Sequence, residues 1–323
     1  MAEIELKDKR FLGASKIEVS SIGIGTWAWG DQGMWQYGKS FTRYDIDEAF
    51  KTSLAAGINF FDTAEIYGKG ESERIVGQLL KYYNSKVVIA SKFAPLPLRL
   101  NAAELEKALD RSLFRLGLDQ LDLYQIHWPY SLIKQEDLMK ALVRVVKAGK
   151  VKAVGVSNYN AAQTRKAHTF LAGYGVPLAS NQILYNLAHR KPESNGVLQT
   201  CRELNVAVIA YSPLAQGVLT GKYTGANAQK VEGLRRFRGA FRGGGSVELQ
   251  SLVTQVKAVA QEKGKTPSQV ALNWLMCKDE LVIPIPGAKN QKQAEQNAGA
   301  LGWRLSAEEV ARLDEASKPF LKG

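Results

Sequence analysis

Apolar runs alternate with amphipathic stretches along almost the whole chain, and the period of each run sets the element it predicts. The stretch INFFDTAEIYG (58–68) opens as a buried strand, breaks at Asp62, Thr63 and Glu65, and closes on Tyr67 and the turn signal Gly68. VVIAS (87–91) and LDLYQI (121–126) are runs of the same kind, and each stops at an ionisable residue, Lys92 and His127. Strands are expected at 20–27, 60–64, 87–93, 121–127, 153–158, 179–185, 206–212 and 282–286. Helical periodicity predicts helices at 44–56, 72–82, 102–116, 135–148, 161–172, 194–204, 247–263 and 291–299. Residues 4–19 read as a short hairpin around Gly13. An extra helix is expected at 307–317, with Ser306 and Glu309 spaced as a capping box.

Eight strand–helix units in sequence imply parallel pairing, because parallel strands need helical crossovers. The expected fold class is α/β: a (β/α)8 TIM barrel with an N-terminal β-hairpin over one end and an extra C-terminal helix. An open doubly wound sheet would carry Gly-x-Gly-x-x-Gly after its first strand, and GIGTWAWG (23–30) lacks that spacing. No long polar linker divides the chain, so one domain spanning 1–323 is expected.

Composition narrows the class. The chain has 323 residues, 45% of them hydrophobic, which excludes a disordered protein. No run of eighteen apolar residues predicts a membrane span. The charged start, MAEIELKDKRFLG, lacks the apolar core of a signal peptide, so a cytoplasmic protein is expected, with a processed plastid protein as the alternative. Cys201 and Cys277 cannot build a disulfide framework and read as reduced packing residues. The net charge is +12. No basic stripe is interleaved with aromatics, so nucleic-acid binding is not expected. The excess reads as a solubilising surface or as a site for a polyanionic cofactor. Its densest cluster is Arg235, Arg236, Arg238 and Arg242, before Gly243–Gly245 in a long loop.

In such a barrel, chemistry sits at the C-terminal strand ends, where Asp62, Lys92 and His127 fall on successive strands. Taken singly, each has a plain structural use: a helix cap, a solvated charge, a packing residue. Together at one sector of a rim, they point to catalysis. A buried Lys92 needs a partner, and Asp62 is the nearest by topology. The ammonium is expected to lower the Tyr67 pKa from its usual value near 10, with Asp62 holding the ammonium and His127 polarising a substrate carbonyl. That set suits delivery of a proton to an oxygen gaining negative charge. No Gly-x-Ser-x-Gly elbow or catalytic-cysteine context appears, and the three histidines (His127, His168, His189) show no metal-ligand spacing.

GTWAWG (25–30), INFFDTAEIYG (58–68), VVIASK (87–92), LDLYQIHWP (121–129), GKVKAVGVSN (149–158), SNQILYN (180–186), YSPLAQGVLTGKY (211–223) and VIPIPGAKNQKQAEQN (282–297) resemble the successive motifs of the aldo-keto reductases. The pattern looks most like the branch holding bacterial and plant reductases and potassium-channel β subunits. The resemblance implies a catalytic set of Asp62, Tyr67, Lys92 and His127, with Tyr67 as general acid, and an extended nicotinamide dinucleotide, usually NADPH. By the same resemblance, Thr26, Trp27 and Asp62 would border the cofactor. Ser157, Asn158 and Gln182 would hold its carboxamide, and Tyr211 would stack on its ring. Ser212, Pro213, Leu214, Gln216, Gly217 and Lys222 would wrap the pyrophosphate, and Gly287, Ala288, Lys289, Gln293, Gln296 and Asn297 the adenosine. Many family members carry an arginine for the 2′-phosphate where this chain has Gln293 and Gln296. Lys289, helped by Arg238 or its neighbours, would then supply that charge, so NADPH is favoured and some NADH activity expected. Trp27, Trp29, Phe93 and Trp128 are expected to form an apolar pocket for a small-molecule carbonyl substrate. A different class, a nucleotide-binding redox-sensing subunit with slow turnover, is the alternative that the branch suggests.

Overall fold

Runs rich in Val and Ile pair side by side, and in the computed structural model they form eight parallel strands around one axis. Residues 8–222 and 246–322 are described. A hairpin comes first, β1 (Lys9–Phe11) and β2 (Glu18–Ser20). The barrel strands are β3 (Ile24–Gly25), β4 (Phe60–Asp62), β5 (Val88–Phe93), β6 (Leu121–Ile126), β7 (Val151–Ser157), β8 (Leu178–Leu184), β9 (Ala207–Tyr211) and β10 (Val282–Ile285). Each pairs with the next in chain order, and Gly23 and Gly25 close the ring by donating N–H bonds to Pro284 and Pro286, both at 3.0 Å. The expected barrel is the observed one.

The helices lie outside: α1 (Arg43–Ala55), α2 (Glu71–Tyr83), α3 (Ala103–Leu116), α4 (Gln135–Lys147), α5 (Ala161–Ala172), α6 (Lys191–Ser194), α7 (Val197–Glu203), α8 (Val247–Glu262), α9 (Pro267–Lys278), α10 (Gln291–Ala298) and α11 (Ala307–Ala316). Their apolar stripes and the outward strand residues make one core layer, including Phe50, Phe61, Phe93 and Tyr124. Inward residues make a second, with Phe60, Val88, Leu123 and Ile283 packed beneath Leu12 and Val19 of the hairpin segment. Gly13 shows how tightly the hairpin plugs the barrel floor, since a Cβ there would lie 2.4 Å from the Asn205 carbonyl oxygen.

Three elements differ from the sequence reading. The first strand shrinks from 20–27 to Ile24–Gly25, because Ser20 belongs to the hairpin and residues past Gly25 turn, with Trp29 N–H bonding the Thr26 carbonyl at 2.9 Å. The helix expected at 194–204 is shortened to α7, which starts after Gly196, whose φ of +81° separates it from the preceding short helix α6. Helix α9 was not anticipated: its face-to-face apolar run ALNWLM has no solvent side, and Val270, Leu272, Trp274 and Leu275 are all fully buried. The C-terminal helix begins as expected, with Ser306 and Glu309 exchanging bonds at 2.8 and 3.2 Å.

Candidate active site

Alternation along the strands decides which side chains meet inside the barrel. On β4 and β5, Phe60, Asp62, Val88, Ala90 and Lys92 point inward, while Phe61, Ile89 and Phe93 pack against the helices. Asp62 stands level with Ala90, so Lys92 starts nearer the rim and its side chain reaches back to the carboxylate. Lys92 Nζ donates to Asp62 Oδ1 at 2.5 Å, to the Thr63 carbonyl at 2.8 Å and to Tyr67 Oη at 3.3 Å. Both charged groups of this pair are almost wholly excluded from water. Gln125 and Gln182 complete the shell, donating to Asp62 Oδ2 at 3.2 and 2.8 Å. A charge buried this deeply persists only when its remaining lone pairs are satisfied, and the four hydrogen bonds from Lys92, Gln125 and Gln182 to Asp62 and its neighbouring carbonyl do that.

Tyr67 lies in the turn after β4, half-buried, its ring 5.8 Å from that of His127 at a near-perpendicular angle. His127 follows β6, 7% exposed, and Trp128 stacks on its imidazole at 4.0 Å and 7°. Burial, and then the Lys92 charge, lower the His127 pKa to about 2, so the imidazole is neutral, and its Nδ1 has no hydrogen-bond partner among the described residues. Burial raises the Tyr67 pKa, with Lys92 pulling the other way and Asp62 adding to the rise. The net direction is opposite to the one the sequence suggested, because desolvation of the phenolate outweighs the ammonium. For Lys92 burial acts against the ammonium, yet Asp62 and Tyr67 overcome it and its pKa is raised.

Several of the expected cofactor residues line the same rim. Tyr211 Oη donates to Asn158 Oδ1 at 3.1 Å, and Asn158 Nδ2 donates to the His127 carbonyl at 3.1 Å. Ser157 Oγ donates to the Gln182 carbonyl at 2.8 Å. Ser212, Gln216 and Gly217 hold φ values of +50°, +56° and +106°, which folds Ser212–Gly217, with Pro213 and Leu214, into a tight loop. Lys222 is exposed at its end. On the far side, Asn290 caps α10 through Gln293 N–H at 3.0 Å, Gln293 Oε1 accepts from Lys289 N–H at 2.9 Å, and Gln296 is half-buried on the same helix. Lys289 Nζ lies over the rings of Phe41 and Trp35, 5.2 and 5.8 Å from their centroids.

Several expected contacts face elsewhere. Trp29 is fully buried against Phe50 and Phe61, its Nε1 donating to the Ala288 carbonyl at 2.7 Å, so it belongs to the outer core and not to a substrate pocket. Phe93 likewise points outward, beneath the Arg99 guanidinium at 4.7 Å, because it follows inward Lys92 on the strand. Thr26 is buried with its hydroxyl on the Asp62 carbonyl at 3.0 Å, and Gln182 is turned to the Asp62 carboxylate. Asn297 is a strut, its Nδ2 donating to the Gly287 carbonyl at 3.2 Å. Trp27 and Trp128 stay at the mouth, the Trp27 ring 6.3 Å from Tyr67. Arg238 lies outside the described residues.

Sequence reasoning missed Glu65, which accepts from Ala94 N–H at 2.7 Å and takes Arg99 bidentately at 2.5 and 2.8 Å. Nothing in spacing joins residues thirty-four apart. Among the described residues no group of side chains could hold a metal ion, and no helix is long and apolar enough to cross a membrane.

Comparison with known proteins gives the family and agrees with the fold. The family model described as the aldo/keto reductase family matches residues 21–318. A chloroplastic pyridoxal reductase of Arabidopsis thaliana is 39% identical over 315 residues, covering 94% of this chain and 84% of that protein. An aldo-keto reductase of Schizosaccharomyces pombe, named with NADP(+), is 34% identical over 286 residues, 84% of this chain and 82% of that one. The solved glycerol dehydrogenase of Gluconobacter oxydans superposes with a TM-score of 0.85 at 26% identity, covering 99% of this chain and 98% of that one. A Klebsiella pneumoniae aldo-keto reductase in complex with NADPH gives 0.76 at 29% identity, covering 98% and 96%. The family match over residues 21–318 and the eight-stranded barrel agree, and the chain belongs to the aldo/keto reductase family.

Proposed function

We propose that the chain is an NADPH-dependent reductase that converts aldehydes and ketones to alcohols, with Tyr67 as the general acid. The observation that carries this reading is the buried Asp62–Lys92 pair in contact with Tyr67 beside neutral His127, all at the C-terminal rim. The residues around the rim fit a dinucleotide. Tyr211 offers a ring face, Asn158 offers an amide group, and the left-handed loop at 212–217 exposes backbone suited to phosphates. The N-terminus of α10 and Lys289 favour a further anion. Relatives named or solved with NADP(H) support the same choice.

When bound, the reduced nicotinamide supplies a hydride to the carbonyl carbon. The chain's part is electrostatic and protonic. Neutral His127 donates a hydrogen bond to the carbonyl oxygen and drains charge from the carbon. Tyr67 holds its proton at neutral pH, as its raised pKa requires, and gives it to the same oxygen as negative charge develops. Lys92 stabilises the phenolate left behind, and solvent returns the proton. Asp62 fixes the ammonium at 2.5 Å so that this stabilisation needs no rearrangement.

Tyr67→Phe removes the donated proton but no group assigned to cofactor binding. It is expected to lower kcat by about 10²-fold or more while NADPH binding stays near wild type. Nicotinamide absorbance decay with NADPH, NADH and a panel of aldehydes including pyridoxal, with NADPH titration of both proteins, checks this. Loss of NADPH binding in the variant would refute the assigned role. Tight binding by wild type with no decay would favour the redox-sensing alternative.

A further inference from the structure

Tyr67 has no strand of its own. It sits in the turn Tyr67–Gly70, which runs straight into α2, yet its hydroxyl must meet an ammonium that β5 carries. The turn is wedged on both sides. A Cβ on Gly68 would lie 2.9 Å from the Gly30 carbonyl oxygen, and one on Gly70 would lie 2.8 Å from Arg115 Cδ; both residues have positive φ.

The first turn of α2 supplies the lock. Ser72 is fully buried, its Oγ 2.8 Å from Thr26 Oγ1 and 2.9 Å from Thr63 Oγ1, and it donates to the Thr26 carbonyl at 3.0 Å. Thr63 follows Asp62 in sequence, and Thr26 Oγ1 donates to the Asp62 carbonyl at 3.0 Å. Glu73 is a fully buried carboxylate that accepts from Ser91 Oγ at 2.5 Å and from Arg115 Nε at 2.6 Å. Ser91 is the residue before Lys92, on the opposite face of β5. A buried ion pair contributes little net stability against an apolar pair of the same shape, while removing one partner strands the other charge.

We propose that Ser72 and Glu73 are positioning residues that fix the Tyr67 hydroxyl against Lys92, by gripping β3–β4 beside Asp62 and β5 beside Lys92 from outside the barrel. The proposal rests on Tyr67 being the acid of the reaction. Neither residue touches the reacting atoms. Misplacement by about 1 Å costs up to about 10²-fold in rate, so a slackened grip lowers turnover without removing any binding group.

Ser91→Ala and Thr63→Val each delete one grip from the strand side and leave the buried charges in place. Both are expected to lower kcat about tenfold with KM for NADPH unchanged. Ser91→Thr, which keeps the hydroxyl, restores kcat. The proposal is overturned if kcat per folded active site is unchanged in both deletions while Tm falls, which is the mark of a purely stabilising network. It is also overturned if KM for NADPH rises in step with the loss of kcat. Wild type and Tyr67→Phe run alongside: an inactive wild type sinks the functional reading itself. An active wild type, a dead Tyr67→Phe and unaffected deletions sink this inference alone.

Discussion

His127 is 7% exposed and lies near the Lys92 ammonium, and both conditions oppose a charged imidazole. Its pKa falls from 6.5 to about 2 on folding. Between those values the unfolded chain binds a proton that the folded chain refuses. Stability from this residue is therefore complete above pH 6.5 and drains away as pH falls, by up to about 1.4 kcal/mol per pH unit. Lys92 has the opposite sense: its folded pKa is raised, so its contribution is present below the unfolded value of 10.5 and is lost in strong alkali. Urea unfolding of wild type and His127→Gln across pH 4–7 tests the first statement. The wild-type curve is expected to fall more steeply toward acid, and parallel slopes would mean that the folded imidazole does accept a proton. The identities of Asp62, Lys92 and His127 were legible because each interrupts an apolar run at the same depth. Their pKa directions were not, since desolvation depends on what surrounds an atom in three dimensions.

At the scale of elements, legibility followed amphipathicity. Helices α3 and α4 have one polar and one apolar face, and sequence bounds fall within a residue of the observed ones. Helix α9 is buried on nearly every side, so periodicity is silent. Its one local signal was the start: Thr266 and Gln269 form a capping box around Pro267. Its C-terminal end is held from afar by Arg10 of the hairpin, which is 7% exposed. Arg10 donates to the carbonyls of Met276 at 2.6 Å, Val282 at 2.9 Å, and Asp279. Helix ends leave carbonyls without partners, and here one guanidinium serves three acceptors at the junction of α9 and β10. Arg10→Met keeps the stem but strands those oxygens. It is expected to cost about 3 kcal/mol or more, at about 1–3 kcal/mol for each of the three acceptors left dry, with kcat at 25 °C unchanged because the hairpin lies on the barrel floor. A denaturation midpoint equal to wild type would show that water or another donor takes over.

Across the whole molecule, the barrel has an inert end and a reactive one. Leu12 and Val19 plug the floor, an apolar layer from Phe60 to Ile283 fills the middle, and the polar layer of Asp62, Lys92, Gln125 and Gln182 lies beneath the mouth. Repetition made this architecture legible, since eight strand–helix units leave few other topologies. The inward turn of Gln182 and the outward turns of Trp29 and Phe93 depend on strand register and tilt, which residue type does not encode. Around the mouth, the expected dinucleotide residues run from Asn158 through Tyr211 and the 212–217 loop to α10. At the far end of that path Lys289 lies beside the α10 N-terminus, held over Phe41 and Trp35, while Gln293 caps the backbone instead of offering charge. NADPH differs from NADH by a phosphate, so discrimination reduces to the charge that meets it. Lys289→Ala is expected to weaken NADPH about tenfold, the scale of one charge-assisted contact, and NADH far less. Fluorescence titration with both nucleotides measures the ratio, and it should shrink further in magnitude as salt rises, because the contact is partly exposed. Equal losses for the two nucleotides would place the phosphate against another cation, and Arg238, which lies outside the described residues, is the next substitution to make.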